Sequence, residues 1–198
     1  MSYLPCLFAT SAFVLSCFAG ASCRFVEFAS GPAALKFGFW YADTAGSCVL
    51  YPISFEVDST LKAARAFNII AVVLGGAFLV LEILQGGCRG DIKKRQISFR
   101  TSALGYLVAG LASGLSLMIL NSDACQQNAL VEEWSRSAAV DLPEECKISQ
   151  GGMITIAACV LWIVAAGGMA ALHRMHGKPE QEGQGELDEP LFNDNEAL

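Results

Sequence analysis

Charge is scarce in this sequence. Of its 198 residues only 16% are Asp, Glu, Lys or Arg, against 54% hydrophobic, and a soluble domain carries roughly 25% charged residues. That balance excludes an ordinary water-soluble globule and points to a membrane chain. Motifs that carry chemistry are missing too. No Cys-X-X-Cys occurs, which excludes a thiol oxidoreductase working through such a pair. The two histidines, His173 and His176, sit together near the C-terminal end, so no two helices can offer His ligands to a haem between them. Nucleotide loops, metal-ligand spacings and nucleophile motifs are also lacking. The expectation is a non-enzymatic protein with no cofactor, no metal, no nucleic-acid partner and no small-molecule substrate.

What the sequence has in place of charge is length of apolar chain. A hydrocarbon layer about 30 Å thick takes roughly 20 apolar residues to cross as a helix, and four segments qualify. The first runs over 4–22, with no charged side chain before Arg24. The second, 63–84, is uncharged from Ala66 to Leu81; Arg65 and Glu82 sit near its ends, where long side chains reach the headgroups. The third, 101–120, and the fourth, 151–172, carry no charge. The fold class expected is an all-α membrane protein, a four-transmembrane-helix bundle over residues 1–176.

Orientation follows from the basic residues. The connection 85–100 holds Arg89, Lys93, Lys94, Arg95 and Arg100, which marks it as cytosolic. Arg174 and Lys178 after the fourth span agree. The connection 121–150 holds Arg136 and Lys147 against six acids, Asp123, Glu132, Glu133, Asp141, Glu144 and Glu145, and is expected outside together with the connection 23–62. Both termini are then cytosolic. The alternative for the first segment is a cleaved secretory signal, since Ala19-Gly20-Ala21 resembles a small-residue cleavage site, although no Lys or Arg precedes it. The topology of the later segments is the same either way.

Eight cysteines divide on this topology. Cys6, Cys17 and Cys159 fall inside spans, where cysteine behaves as a small apolar residue. Cys23, Cys48, Cys125 and Cys146 fall outside, in a compartment that permits disulfides. The simplest pairing is Cys23 with Cys48 and Cys125 with Cys146, each closing a loop of about 20 to 25 residues and worth about 3 kcal/mol. Four cysteines allow three pairings, and the sequence leaves the choice open. Cys88, beside the basic run, is a candidate for palmitoylation, with an unmodified thiol as the plain alternative.

The first outer connection contains Lys36-Phe37-Gly38-Phe39-Trp40-Tyr41 and then Val49 to Phe55, β-branched and aromatic runs bounded by Gly and Pro that read as strands. A small disulfide-stapled extracellular sheet is expected there, with an interfacial aromatic belt as the competing role of the cluster. Helix association in lipid relies on small residues, and Gly110 and Gly114 form such a ridge on the third span. Residues 177–198 hold seven acids and are rich in Glu, Gln, Gly and Pro, the composition of a disordered cytosolic tail. Within it Asp188-Glu189-Pro190-Leu191-Phe192 loosely matches an adaptor sorting signal.

Two stretches carry a family resemblance. Gly38-Phe39-Trp40 followed by Cys48, and Leu61-Lys62-Ala63-Ala64-Arg65-Ala66-Phe67 entering the second span, resemble the claudin-type tetraspan superfamily. That superfamily shows a GLW-and-cysteine signature in its first extracellular segment and an LQAARAL entry to its second helix, with four spans and cytosolic ends. The chain departs from it in having one cysteine after the signature, so that Cys23 must stand in for the missing one or the bridge is lost, and in a long second outer connection with its own cysteine pair. Its end, Asn195-Glu196-Ala197-Leu198, is not a PDZ-binding terminus. The resemblance implies a distant claudin-like tetraspan that mediates lateral or cell-surface association with other membrane proteins or with itself, as an accessory subunit of a membrane complex or alone, at the plasma membrane in preference to an endomembrane. The alternative is a small channel or transporter subunit whose outer acids, with Glu82, concentrate cations at a mouth.

Overall fold

Hydrocarbon offers no water to satisfy peptide groups, so a crossing segment closes its own hydrogen bonds as a helix. The computed structural model describes residues 3–28, 35–44, 46–51, 57–85, 96–126 and 146–176. Among them are four helices long and apolar enough to cross a membrane. The first, α1 (Leu4–Ala21), places Pro5 in its opening turn, where a missing N–H costs nothing. The second, α2 (Ser59–Leu84), begins four residues ahead of the run that hydropathy marks. Its start is set by capping: the Asp58 carboxylate accepts from the backbone N–H groups of Thr60 (3.1 Å) and Leu61 (3.3 Å). In the third, α3 (Gln96–Leu115) tightens into a 3-10 helix over Ser116–Asn121, with the short α4 (Asp123–Gln126) following. The last, α5 (Gln150–His176), outruns the expected 151–172, so the histidines lie in its closing turns and not beyond it.

Helix α5 packs along α1 and α3, and α3 along α2. The fully buried Trp162 organises this centre. Its indole N–H donates to the Ser16 hydroxyl of α1 at 3.1 Å, and its ring stacks on Tyr106 of α3 with centroids 5.4 Å apart. On α2 the ring lies so near Gly75 that a Cβ there would stand 2.4 Å from it. Each neighbouring helix thus meets the indole through one small or flat residue. Gly110 lies on the same α3 face, its added Cβ coming 3.2 Å from the Trp162 Cβ, and Gly114 faces Cys159. The two glycines of the ridge therefore pack against α5.

At one end of this bundle lies a five-stranded antiparallel sheet of order β4-β3-β2-β1-β5. It is built from β1 (Val26–Phe28), β2 (Leu35–Phe37), β3 (Tyr41–Thr44), β4 (Ser47–Leu50) and β5 (Cys146–Ile148). The expected run Lys36–Tyr41 is not one strand. The chain turns at Gly38, whose N–H donates to the Tyr41 carbonyl at 2.8 Å, and this splits the run into β2 and β3. The β3–β4 hairpin closes at Gly46, at φ 87°, with the Asp43 carboxylate accepting its N–H. Nor is the sheet confined to the first connection: β5 comes from the second and pairs Val26 with Ile148 and Phe28 with Cys146. Phe25, Phe37 and Phe39 face the helix ends and pack in one cluster with Ala19, Leu61, Ala64 and Ile119.

Candidate functional site

The residues that carry the family resemblance converge where α2 enters the sheet. Gly38 is held against α1's exit, and a Cβ on it would stand 1.8 Å from the Ser22 carbonyl oxygen. Only glycine permits that approach. It lets Phe39 turn inward, where it is fully buried and packs on Phe25 with ring centroids 4.5 Å apart. Trp40 is left partly exposed, on the rim. Arg65, on the second turn of α2, reaches this turn from below: its Nε donates to the Phe39 carbonyl at 2.6 Å, a charge-assisted bond. Its guanidinium carbon lies 4.7 Å from the Trp40 ring centroid and 5.4 Å from that of Tyr51, within cation–π range. The Tyr51 hydroxyl donates to the Gly38 carbonyl. Burial pushes the Tyr51 hydroxyl well above its ordinary titration range, with the Arg65 charge opposing that shift. Ala64 is fully buried beneath Phe39's cluster while Ala63 is half-buried beside it.

Two disulfides frame the site. Cys23 joins Cys48, tying the exit of α1 to β4, and Cys125 joins Cys146, tying α4 to β5. This is the simplest of the three possible pairings. Ion pairs and polar contacts add to the frame: Arg24 to Asp43 at 2.6 Å, Lys36 to Glu27 at 3.7 Å, and the Ser149 hydroxyl to Glu27 at 3.0 Å. The Lys36–Glu27 pair, part-exposed on both sides at 31% and 28%, contributes little to stability. The Asp58 carboxylate that caps α2 also accepts the Asp123 N–H at 3.4 Å, joining the two connections.

Three expectations require correction. Glu82, expected to reach the headgroups from the end of its span, is 3% exposed within the bundle. Arg65 likewise turns to the sheet and not to lipid headgroups. Cys6, expected to be an inert apolar residue, is disulfide-bonded; the other sulfur of its bridge lies outside the described residues. Cys17 and Cys159 are free thiols, and the Cys159 Sγ donates to the Gly110 carbonyl at 3.2 Å.

Cys88, the basic residues from Arg89 to Arg95, the acids Glu132, Glu133, Asp141, Glu144 and Glu145, and the tail 177–198 lie outside the described residues. Among the described residues, no three His, Cys, Asp or Glu side chains come together in a way that could hold a metal ion.

Residue-type reasoning overlooked three features. In the sequence Tyr51 is one aromatic among several in the run from Val49 to Phe55, whereas in the fold its hydroxyl locks the Gly38 turn. Trp162 lies in a helix that is apolar on all sides, so no polar face marks which way it points. Asn68 is the one amide in an uncharged stretch, a signal that a search for ionisable groups passes over. It is 5% exposed, and its Nδ2 has no hydrogen-bond partner among the described residues. No protein-family model matches the chain, and no curated protein matches it significantly.

Proposed function

We propose that the chain is a non-enzymatic, claudin-like four-span membrane protein that works by association, with its sheet on the extracellular or lumenal side and both termini in the cytosol. The plasma membrane is the favoured location. The observation that carries this reading is the β4 edge of the sheet. All four residues from Ser47 to Leu50 are exposed, with Val49 at 49%, Leu50 at 66% and Trp40, on the neighbouring turn, at 37%. Among the described residues β4 is the terminal strand of the sheet, and exposed apolar side chains along such an edge favour a protein partner over water. The rigid Gly38–Arg65 lock beneath the edge lowers the ordering cost of an encounter. Lateral neighbours and apposed membranes both present protein surfaces to such an edge, and a larger complex would use it the same way. Of the acids that the channel reading draws on, five lie outside the described residues and Glu82 is buried within the bundle, so association alone is carried forward.

Cross-linking in cells between two differently tagged copies, together with partner capture under mild detergent, tests the proposal. Adducts are expected to form and to fall by about tenfold in the Val49→Asp, Leu50→Asp double variant, since burying one unpaired charge costs well over the 1.4 kcal/mol that tenfold represents. A strictly monomeric protein with no cross-linked partner would overturn it.

A further inference from the structure

Between α1 and α2, immediately beneath the Trp40–Tyr41 turn, lies an open cavity of about 400 Å³. Ser16 and Gly20 line it from α1, Asn68 and Val72 from α2, and Trp40 roofs it. Its volume falls within the roughly 300–1,000 Å³ of small-molecule sites. Five of its lining residues carry a polar side-chain atom, Ser16, Cys17, Trp40, Tyr41 and Asn68, and the others are apolar. The Ser16 hydroxyl is already engaged, accepting from Trp162 and donating to the Ala12 carbonyl at 2.8 Å. Asn68 is not. Its amide lies against Gly20, where an added Cβ would stand 2.5 Å from Oδ1, and its Nδ2 is buried without a partner. A buried amide with an unmade hydrogen bond, in a segment that crosses hydrocarbon, calls for an acceptor supplied from outside the chain.

We propose that this cavity is a membrane-lipid site: an apolar lipid body fills it, and an oxygen of that lipid accepts the Asn68 amide N–H. Ile69 and Val73, which also line the cavity, are exposed on α2, on a face turned to lipid. Depth agrees. Asn68 lies three residues beyond Arg65, a rise of about 4.5 Å at 1.5 Å per residue, and Arg65 stands at the level of Trp40, the aromatic that marks the interface. Just below that level lie the hydroxyl of a sterol and the ester carbonyls of a glycerolipid, and both present the acceptor that the amide lacks. A second transmembrane helix fits less well. The lining segments Ser16–Ala21 and Asn68–Val73 each rise only about 8 Å, the sheet turn closes the upper end, and a crossing helix would need a seat along about 30 Å.

The test uses the full chain reconstituted in phosphatidylcholine nanodiscs containing either a diazirine-bearing sterol or a diazirine-bearing diacyl phosphatidylcholine, with adducts mapped by peptide mass spectrometry. One probe is expected to label Ser16–Ala21 and Asn68–Val73 in excess of the outward residues Ile83 and Met153, and to be displaced by its own unlabelled lipid. Excess labelling by the sterol assigns a sterol hydroxyl as the acceptor; excess labelling by the diacyl probe assigns an ester carbonyl. Asn68→Leu should lower that excess about five- to tenfold, the worth of one hydrogen bond, without lowering thermal stability. Ala21→Trp, which fills the opening from an exposed position, should abolish it. Even labelling of all outward residues, unchanged in both variants, overturns the proposal, as do chain-to-chain cross-links formed at the cavity. Neither result bears on association through β4.

Discussion

Arg65 shows how one side chain joins sheet to bundle. A single guanidinium makes a charge-assisted hydrogen bond to the Phe39 carbonyl and faces two aromatic rings. An ammonium can supply the charge but not the planar donor edge that stacks on a ring. Arg65→Ala is therefore expected to destabilise the fold by about 2–3 kcal/mol, since a charge-assisted bond and a partly desolvated cation–π contact are lost together. Arg65→Lys should retain roughly half of that stabilisation, with thermal unfolding in detergent as the readout. Tyr51 adds a pH dependence. Its hydroxyl titrates higher in the folded chain than the ordinary value of 10 because burial disfavours the phenolate. Below pH 10 both states hold the proton. Above it the unfolded chain releases its proton while the folded chain keeps it, so stability falls with rising pH by at most about 1.4 kcal/mol per pH unit. Unfolding temperatures measured from pH 8 to 11 should fall more steeply for the natural protein than for Tyr51→Phe.

At the scale of elements, capping and crosslinking decide what hydropathy cannot. The N-terminus of α2 is written in Asp58-Ser59-Thr60, a polar triplet that hydropathy places outside the span, and the carboxylate that caps the helix also takes the Asp123 N–H. Asp58→Ala should cost about 1–2 kcal/mol, and amide exchange should quicken in the first turn of α2 while the turns below Asn68 keep their protection. The second connection is anchored by the Cys125–Cys146 bridge. The loop it closes spans 21 residues, so Cys146→Ser should cost about 3 kcal/mol; the same measurement should show β5 exchange quickening far more than that of β2 and β3. Strand β5 itself was not legible beforehand, because three residues are too few to show a period of two. The split of Lys36–Tyr41 into two strands was hidden for another reason: the turn depends on how closely Gly38 approaches Ser22, a tertiary contact that local propensity does not encode.

The whole molecule was legible to the extent that the solvent dictates it. Runs of uncharged residues have one solution in hydrocarbon, so the positions of the four long helices could be read directly, and the cysteines outside those runs included the two pairs Cys23–Cys48 and Cys125–Cys146, while the bridge made by Cys6, inside the first run, was not legible. Which face of each helix turns inward could not be read, because lipid and protein interior are equally apolar and Trp162 has no polar counterpart on the opposite side of α5. The same equality hid Asn68 and the cavity above it. Burial of Glu82 escaped notice because a charge near a span end reads as a headgroup contact whichever way it turns.

Side assignment is the claim on which the disulfides, the sheet edge and the lipid cavity all depend, and it can be tested without knowing which membrane holds the protein. The sequence contains no Asn-X-Ser or Asn-X-Thr acceptor, so any engineered one gives an unambiguous signal. Ser135→Asn makes a glycosylation acceptor in the second connection, and Ala197→Thr makes Asn195 one near the C-terminal end. The account predicts a glycosidase-sensitive mass increase for Ser135→Asn and none for Ala197→Thr; glycan on the Ala197→Thr chain, with none on Ser135→Asn, would contradict it.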